Sequence, residues 1–140
     1  MGTPAKTPDR LNKVVVGCLN GTRLKGYTYN FSPMKDYFNL LPQEDPVQGR
    51  AIRVEMKDLK AVFFVGDFIG NPEYHEPLVA DGSMHGRKVE VTFRDGEKIV
   101  GTTEGYNPRR LGFFVFPADP QSNNNRIFVV TRNASQVRLL

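Results

Sequence analysis

The residues best suited to chemistry lie in a polar segment near the C-terminus, between Pro117 and Arg126. The segment combines a carboxylate, several asparagines and an arginine, and an arginine pair stands shortly before it. A guanidinium beside side-chain amides suits a phosphate or a carboxylate. The alternative is a long hairpin loop whose asparagines serve only turn geometry. The anion-site hypothesis places binding on Arg109, Arg110, Asp119, Asn123, Asn124 and Arg126.

Catalytic patterns are weak. His75 and His85 are the only histidines, and no metal-binding spacing or carboxylate cluster accompanies them. Ser83 lies near His85 but lacks an orienting acid. Cys18 is the only cysteine, which excludes an internal disulfide and a cysteine-based zinc site, and we interpret it as a small core residue. We therefore expect no enzyme, no cofactor and no metal.

One short motif resembles half of a known nucleotide signature. Residues Asp81 to Gly86 spell the Asp-x-Ser-x-x-Gly part of the pattern that PilZ domains use for cyclic di-GMP. The other half requires two arginines with three residues between them in a flexible upstream stretch. Arg50 and Arg53 have the wrong spacing and fall in a predicted strand. A cyclic-dinucleotide or other anion sensor therefore stays as an alternative hypothesis.

The elements that must position these residues come from an internal repeat. Residues 13–65 align without a gap on residues 88–140 after a shift of 75 positions. Glycines, prolines and apolar residues recur at fixed offsets, which indicates one small fold made twice. Each copy has 53 residues, a size at which a single core is marginal, so we expect the copies to share an interface. The predicted organisation is a disordered leader (1–12), a first repeat (13–65), a connector (66–87) and a second repeat (88–140).

Local patterns within each copy predict short strands. Alternating apolar residues over Lys13–Asn20 indicate a half-buried strand. Asn20-Gly21, matched by Asp95-Gly96, predicts a type I′ hairpin turn with positive φ at both residues. An inward-facing glycine in each copy, Gly26 and Gly101, predicts a tight bend or a close backbone approach.

The rest of the first copy predicts three more strands. The third strand starts at Phe38, and the fourth covers Arg50–Met56 with Ile52, Val54 and Met56 facing inward. A single helical turn precedes a last strand over residues 61–65, and its counterpart, Gln136–Leu140, is predicted to be paired. Five short strands of this kind favour a small, strongly bent barrel. The predicted fold is all-β, with two tandem five-stranded SH3-like/Sm-like barrels packed together.

The spacing of strands, Asn/Asp-Gly turns and internal glycines resembles an Sm-like repeat. It departs from Sm proteins after the second strand, where Phe31-Ser32-Pro33 replaces their Asp and Asn nucleotide-binding pair. The chain also resembles a family of uncharacterised bacterial proteins, and that resemblance implies no activity. It is carried by residues 58–65, Asp67-Phe68, residues 70–74, residues 86–91 and residues 116–120.

Differences between the outer faces of the copies predict how they dock. Apolar side chains on strands one, two and five of the first copy correspond to polar or charged residues in the second, and the pattern reverses on strands three and four. Burial of such complementary patches stabilises an interface at about 25 cal/mol per Å². The alternative is an exposed ligand or homodimer surface. The predicted inter-barrel interface comprises Val15, Tyr27, Tyr29, Phe63, Phe114, Phe116 and Phe128.

Charge and composition then suggest the class of function. The net charge is +4, with each copy basic (eight basic against five acidic residues) and the connector acidic. We expect a non-enzymatic binding module for a protein partner or a small anionic ligand. Nucleic acid, RNA in particular, is the alternative, with Tyr29, Tyr37 and Tyr106 available for stacking. No apolar run approaches membrane-spanning length, and a reducing cytoplasm is the expected compartment.

Overall fold

The computed structural model describes residues 11–44, 49–66, 86–119 and 121–140. The expectations for residues 1–10 of the leader, for most of the connector and for residues 81–85 of the Asp-x-Ser-x-x-Gly motif lie outside these residues. Within them, the chain forms ten strands and two single-turn 3-10 helices. The strands are β1 (Asn12–Cys18), β2 (Arg23–Thr28), β3 (Tyr37–Pro42), β4 (Ile52–Glu55), β5 (Leu59–Val65), β6 (Arg87–Phe93), β7 (Lys98–Thr103), β8 (Gly112–Pro117), β9 (Asn124–Val130) and β10 (Ala134–Leu139).

All ten strands join in one open antiparallel sheet, in the order β10-β6-β7-β8-β9-β5-β1-β2-β3-β4. The N-terminal half (β1–β5) and the C-terminal half (β6–β10) contribute their strands in the same internal order. In each half the last strand pairs with the first, as predicted. The hydrogen bonding between the strands does not show the two tandem barrels that the sequence predicts. The sheet is continuous because β5 pairs with β1 on one edge and with β9 on the other.

The strand β5 separates two hydrophobic cores. All seven of its residues are buried, and alternate residues face opposite sides. Val62 and Phe64 belong to the core of the N-terminal half, whereas Ala61, Phe63 and Val65 belong to that of the C-terminal half. The buried residues of the neighbouring strand β9 alternate between the same two cores. The junction between the halves is therefore a shared wall with side chains in both cores.

The two matched hairpins use a different turn from the one predicted. Among the described residues only glycines have positive φ, with values of 92° at Gly21 and 91° at Gly96. The Gly21 N–H donates to the Cys18 carbonyl at 3.0 Å, and the Cys18 N–H donates to the Thr22 carbonyl at 2.9 Å. This pattern is a type I turn followed by a glycine bulge, which also fits the strand twist. The type I′ prediction is wrong because Asn20 and Asp95 keep negative φ.

The two inward glycines mark close backbone approaches, as predicted. A Cβ on Gly26 would lie 2.2 Å from the carbonyl oxygen of Leu41, and one on Gly101 would lie 2.0 Å from that of Phe116. Only two residue pairs join β2 to β3, and both lie at this point. The glycine therefore lets β3 cross close to β2 where the sheet bends.

The fourth strand differs from the prediction at one position. Val54 and Met56 are buried as expected, but Ile52 is 51% exposed. Its strand has only β3 as a neighbour in the sheet, so the end of β4 lies at an open edge. The 3-10 turn Met56–Asp58 then leads into β5, as predicted for a helical turn before the last strand.

A buried lysine links the two halves beside the junction. Lys60 on β5 is almost fully buried, and its Nζ donates to Asp95 at 2.8 Å and to Glu97, both in the β6–β7 turn. The same Nζ lies 4.7 Å from the ring centroid of Phe93. This hydrogen bond from Lys60, together with one from the Glu97 N–H, holds the pKa of Asp95 below its ordinary value.

The close approach at Gly26 predicts a loss of stability on substitution. Gly26→Ala places a methyl group against a backbone oxygen, and such overpacking costs about 2 kcal/mol. We expect urea titration to show this loss in the free energy of unfolding. Gly105→Ala is the matched control, because a Cβ there meets open space, and its effect should stay within about 0.5 kcal/mol. Equal stabilities for the two variants would contradict the close contact.

The Lys60 ion pair predicts a pH effect. Because the pKa of Asp95 is lowered in the folded state, its stabilising contribution is present above the ordinary value of 3.8 and is lost as the pH falls through the folded value. Between pH 5 and strongly acidic pH, the free energy of unfolding should therefore fall less steeply in Lys60→Met than in the wild type. Lys57→Met removes the same charge from an exposed position and serves as the control. Parallel curves for the wild type and Lys60→Met would refute the coupling.

Candidate ligand-binding cleft

A cleft of about 360 Å³ opens where loops of the two halves meet over β8. Pro33 and Met34, from the β2–β3 loop, form one wall, and residues 103–105, at the end of β7 and just after it, form the other. This volume is within the range of small-molecule sites, and the lining is largely apolar with a few polar groups. The remaining lining residues are Arg110, Gly112, Phe113, Phe114, Phe116 and Phe128.

The wall from the N-terminal half is held by Phe31. Its ring makes edge-to-face contacts with Phe64 and Phe128, both at 5.1 Å between centroids, and with Phe114 at 6.1 Å. Edge-to-face aromatic pairs stabilise such clusters beyond simple burial. Phe31 lies in the β2–β3 loop, three residues after the end of β2 at Thr28, so its packing against both halves carries the following residues over β8.

Hydrogen bonds fix the course of the same loop. The Asn30 side chain donates to the Asn39 side chain at 2.8 Å and accepts from the Asn39 N–H at 3.0 Å. The Ser32 hydroxyl accepts from the Met34 N–H at 3.1 Å. Met34 is nevertheless 73% exposed, because it lies at the mouth of the cleft. The loop therefore presents a thioether at a fixed place beside the opening.

Two charged side chains of opposite sign line the cleft, Arg110 and Glu104. A guanidinium nitrogen of Arg110 lies 3.8 Å from the sulfur of Met34. The ion pairs that the described residues form include neither Arg110 nor Glu104. An arginine in this position can donate two hydrogen bonds to a carboxylate, phosphate or sulfonate.

A second arginine stands behind one wall of the cleft. The Cζ atom of Arg126 on β9 lies 4.3 Å from the ring centroid of Phe64 and 4.7 Å from that of Phe114. Burial between these rings lowers the pKa of Arg126, while the aromatic faces compensate part of the lost hydration. Phe114 therefore lines the cleft together with Arg110 and also contacts the guanidinium of Arg126.

The structure places the residues of the predicted anion site in different surroundings. Arg110 and Arg126 both neighbour Phe114, whereas Arg109 is exposed and is absent from the cleft lining. In the loop before β9, Asp119 accepts from the Gln121 N–H at 2.9 Å, and the Asn124 N–H donates to Ser122 at 3.0 Å. The backbone carbonyl of Asn123 accepts from the Gly66 N–H at 2.9 Å. These hydrogen bonds stabilise the turn and join the loop to Gly66.

The predicted interface residues fall into three groups. Val15 and Phe63 belong to the N-terminal half but lie in the core of the C-terminal half. Phe128 belongs to the C-terminal half but lies in the core of the N-terminal half, and Phe114 packs against that core. Phe116 lines the cleft. Tyr27 is half-buried and Tyr29 is 57% exposed, and neither is a member of the two core clusters.

The other chemically interesting side chains are engaged in packing. Tyr106 stacks edge-on against Phe113 at 4.8 Å, and the Arg53 guanidinium lies 3.8 Å from the ring centroid of Tyr37. Burial, with a smaller contribution from Asp58, raises the pKa of the Cys18 thiol. The thiol form is a poor nucleophile, which agrees with its interpretation as a packing residue.

Sequence reasoning missed Met34, Glu104 and Phe113 as site residues. The loop that carries Met34 has no periodicity, and nothing local shows that it crosses to the other half. The one usable signal was Phe31, an aromatic residue after the second strand that matches Tyr106 in the second copy. An aromatic residue retained at a strand end in both copies indicates packing, and packing fixes the loop that follows.

The fold and the cleft define an all-β protein with one open antiparallel sheet and an aromatic cleft between its halves. The chain belongs to a family of unknown function, DUF6982, whose profile matches residues 10–140. This match confirms the expected resemblance to an uncharacterised family. No curated protein and no solved structure matches the chain. Among the described residues, no helix has the length and hydrophobicity needed to cross a membrane.

Proposed function

We propose that this protein is a non-enzymatic binding module and that its site is the aromatic cleft between the two halves. The observation that carries the proposal is the combination of partly exposed phenylalanines with an arginine at the rim. The ligand is a molecule or a peptide segment that carries an apolar group and an acidic group. The apolar group occupies the cleft, and the acidic group accepts hydrogen bonds from Arg110.

The electrostatics of the cleft support an anionic ligand. Arg110 is at the rim, and Arg126 adds a positive charge behind Phe114. A partly desolvated anion interacts more strongly with these charges than it would in bulk water. Glu104 repels an acid on its own side of the opening and so directs the anionic end toward Arg110. The apolar part of the ligand gains about 25 cal/mol per Å² of surface removed from water.

The architecture supports the same role, since we infer that each half is a strongly bent SH3-like/Sm-like unit. The order of strands within each half, with the last strand beside the first, and the separate core in each half support this inference. Two such units placed side by side create a groove between their loops, and its floor includes the core residues Phe113 and Phe128. The units then act as a rigid scaffold, and the loops at the groove determine the ligand.

Fluorescence titration with two dyes tests the proposal. The probes are 1-anilinonaphthalene-8-sulfonate and N-phenyl-1-naphthylamine, which share an aromatic body but differ in the sulfonate. We expect the wild type to bind the sulfonate more tightly than the neutral dye. Arg110→Gln should weaken binding of the sulfonate about tenfold, the loss expected for a charged hydrogen bond, and leave the neutral dye unchanged.

Two further variants make the test specific. Gly105→Phe adds a side chain where a Cβ meets open space at the cleft, so it should block both dyes. Arg132→Gln removes an exposed arginine that does not line the cleft and should change neither affinity. Circular dichroism checks that each variant is folded. Dye binding that Gly105→Phe and Arg110→Gln both leave unaltered would overturn the assignment of the cleft.

A further inference from the structure

The two outermost strands of the sheet are open edges. Within the part of the chain that the structure describes, β4 pairs only with β3, and β10 pairs only with β6. A strand with one neighbour offers a row of backbone groups that can pair with another strand. The sheet therefore ends in two surfaces that suit strand addition.

Each open edge strand has a counterpart in the internal repeat, and these two counterparts already pair with each other inside the chain. The 75-residue shift places β5 on β10 and β4 on β9. Inside the chain, β5 of the N-terminal half pairs with β9 of the C-terminal half. The two open edges are therefore the counterparts of the paired strands in the opposite halves: β10 corresponds to β5, and β4 corresponds to β9.

We propose that β10 of one molecule pairs with β4 of a second copy and that this contact repeats the internal β5–β9 junction. The pairing is antiparallel, as in the internal junction, and it is head-to-tail because the two edges differ. A head-to-tail contact leaves the growing assembly with one open edge of each kind. It therefore continues until the assembly closes into a ring, or it extends as a filament.

The internal junction fixes the register of the proposed contact. Phe63 is opposite Ile127 in the internal pairing, and the shift converts this pair into Arg138 opposite Ile52 of the next copy. Leu140 lies two residues beyond Arg138 and therefore points to the same side of the sheet. The contact would bring Ile52 and Leu140 together as diagonal neighbours.

Exposure at these positions agrees with that register. Ile52 is 51% exposed, whereas its counterpart Ile127 in the internal junction is 1% exposed. Leu140 is 55% exposed, whereas its counterpart Val65 is 6% exposed. Two of the large exposed apolar side chains thus stand at the positions that the internal junction buries.

Charges on the edges are compensated within each copy. Arg53 forms an ion pair with Glu55 at 2.6 Å, and Arg138 forms one with Glu90 at 3.2 Å. Arg53, Glu55 and Arg138 stand where β9 and β5 have the apolar residues Phe128, Val130 and Phe63, so the contact between copies is weaker than the contact within one copy. Self-association should therefore depend on protein concentration.

Sedimentation velocity tests the proposal on the full chain. The weight-average mass should rise with concentration from the monomer value of 15.8 kDa to at least twice that value. Ile52→Lys places a second positive charge opposite Arg138 and should keep the protein monomeric. Leu19→Lys changes an exposed apolar residue in the β1–β2 turn, away from both edges, and should leave the association unchanged. A monomer at all concentrations, or equal effects of the two variants, overturns the proposal.

Cysteine cross-linking tests the register. In a Cys18→Ser background, the Ile52→Cys chain is mixed with the Arg138→Cys chain under mild oxidation. Directly opposed residues of an antiparallel pair lie about 4.5–5.5 Å apart at Cα, a separation that suits a disulfide. We expect the mixed dimer to form faster than the dimer of either single variant.

A shifted pair controls for random collisions. Ile52→Cys mixed with Ser135→Cys should cross-link poorly, because Ser135 is three residues from the predicted partner. Faster cross-linking of this shifted pair, or preferred dimers of Ile52→Cys with itself, would replace the head-to-tail register with another contact and overturn the proposal.

Discussion

The pairing of β5 with β9 is the interaction on which the rest of the structure depends. A strand buried on both faces has no polar side to offer to water, and β5 meets that condition only because the two cores lie on its opposite faces. Removing either half would expose one face of this strand. The two halves are each near the size at which a single core is marginal, so the shared wall is what makes both stable.

The cleft is a consequence of that junction. Once β9 lies beside β5, Phe128 enters the N-terminal core, and Phe31 can pack against it from the β2–β3 loop. The loop is thereby held over β8, and Met34 and Arg110 come into contact at the rim. The groove is therefore built from a loop of one half and a sheet surface of the other. Its shape depends on how the halves are fixed relative to each other.

Much of the fold could be predicted from local patterns. Alternating residues marked β1, and the repeat located the corresponding strands of the second copy, including the C-terminal β10. The prediction of the turn type was wrong because two hairpin geometries both accept Asn-Gly. The choice between them depends on the backbone twist, which the residue types do not determine. The continuous sheet could have been suspected from β5 itself, where six of the seven residues are apolar while their counterparts in β10 include Gln136 and Arg138. Such a run indicates a strand covered on both faces.

The cleft was harder to predict, because its residues come from segments that are far apart in the chain and show no periodicity. Amide hydrogen exchange tests the central claim most directly. If the β5–β9 junction makes the two halves one cooperative unit, the slowest amides in β1, β5, β6 and β9 should all report the same free energy of opening, equal to that of global unfolding. A distinctly lower free energy for β6 and β9 than for β1 and β5 would show that the halves open independently, and it would contradict the account.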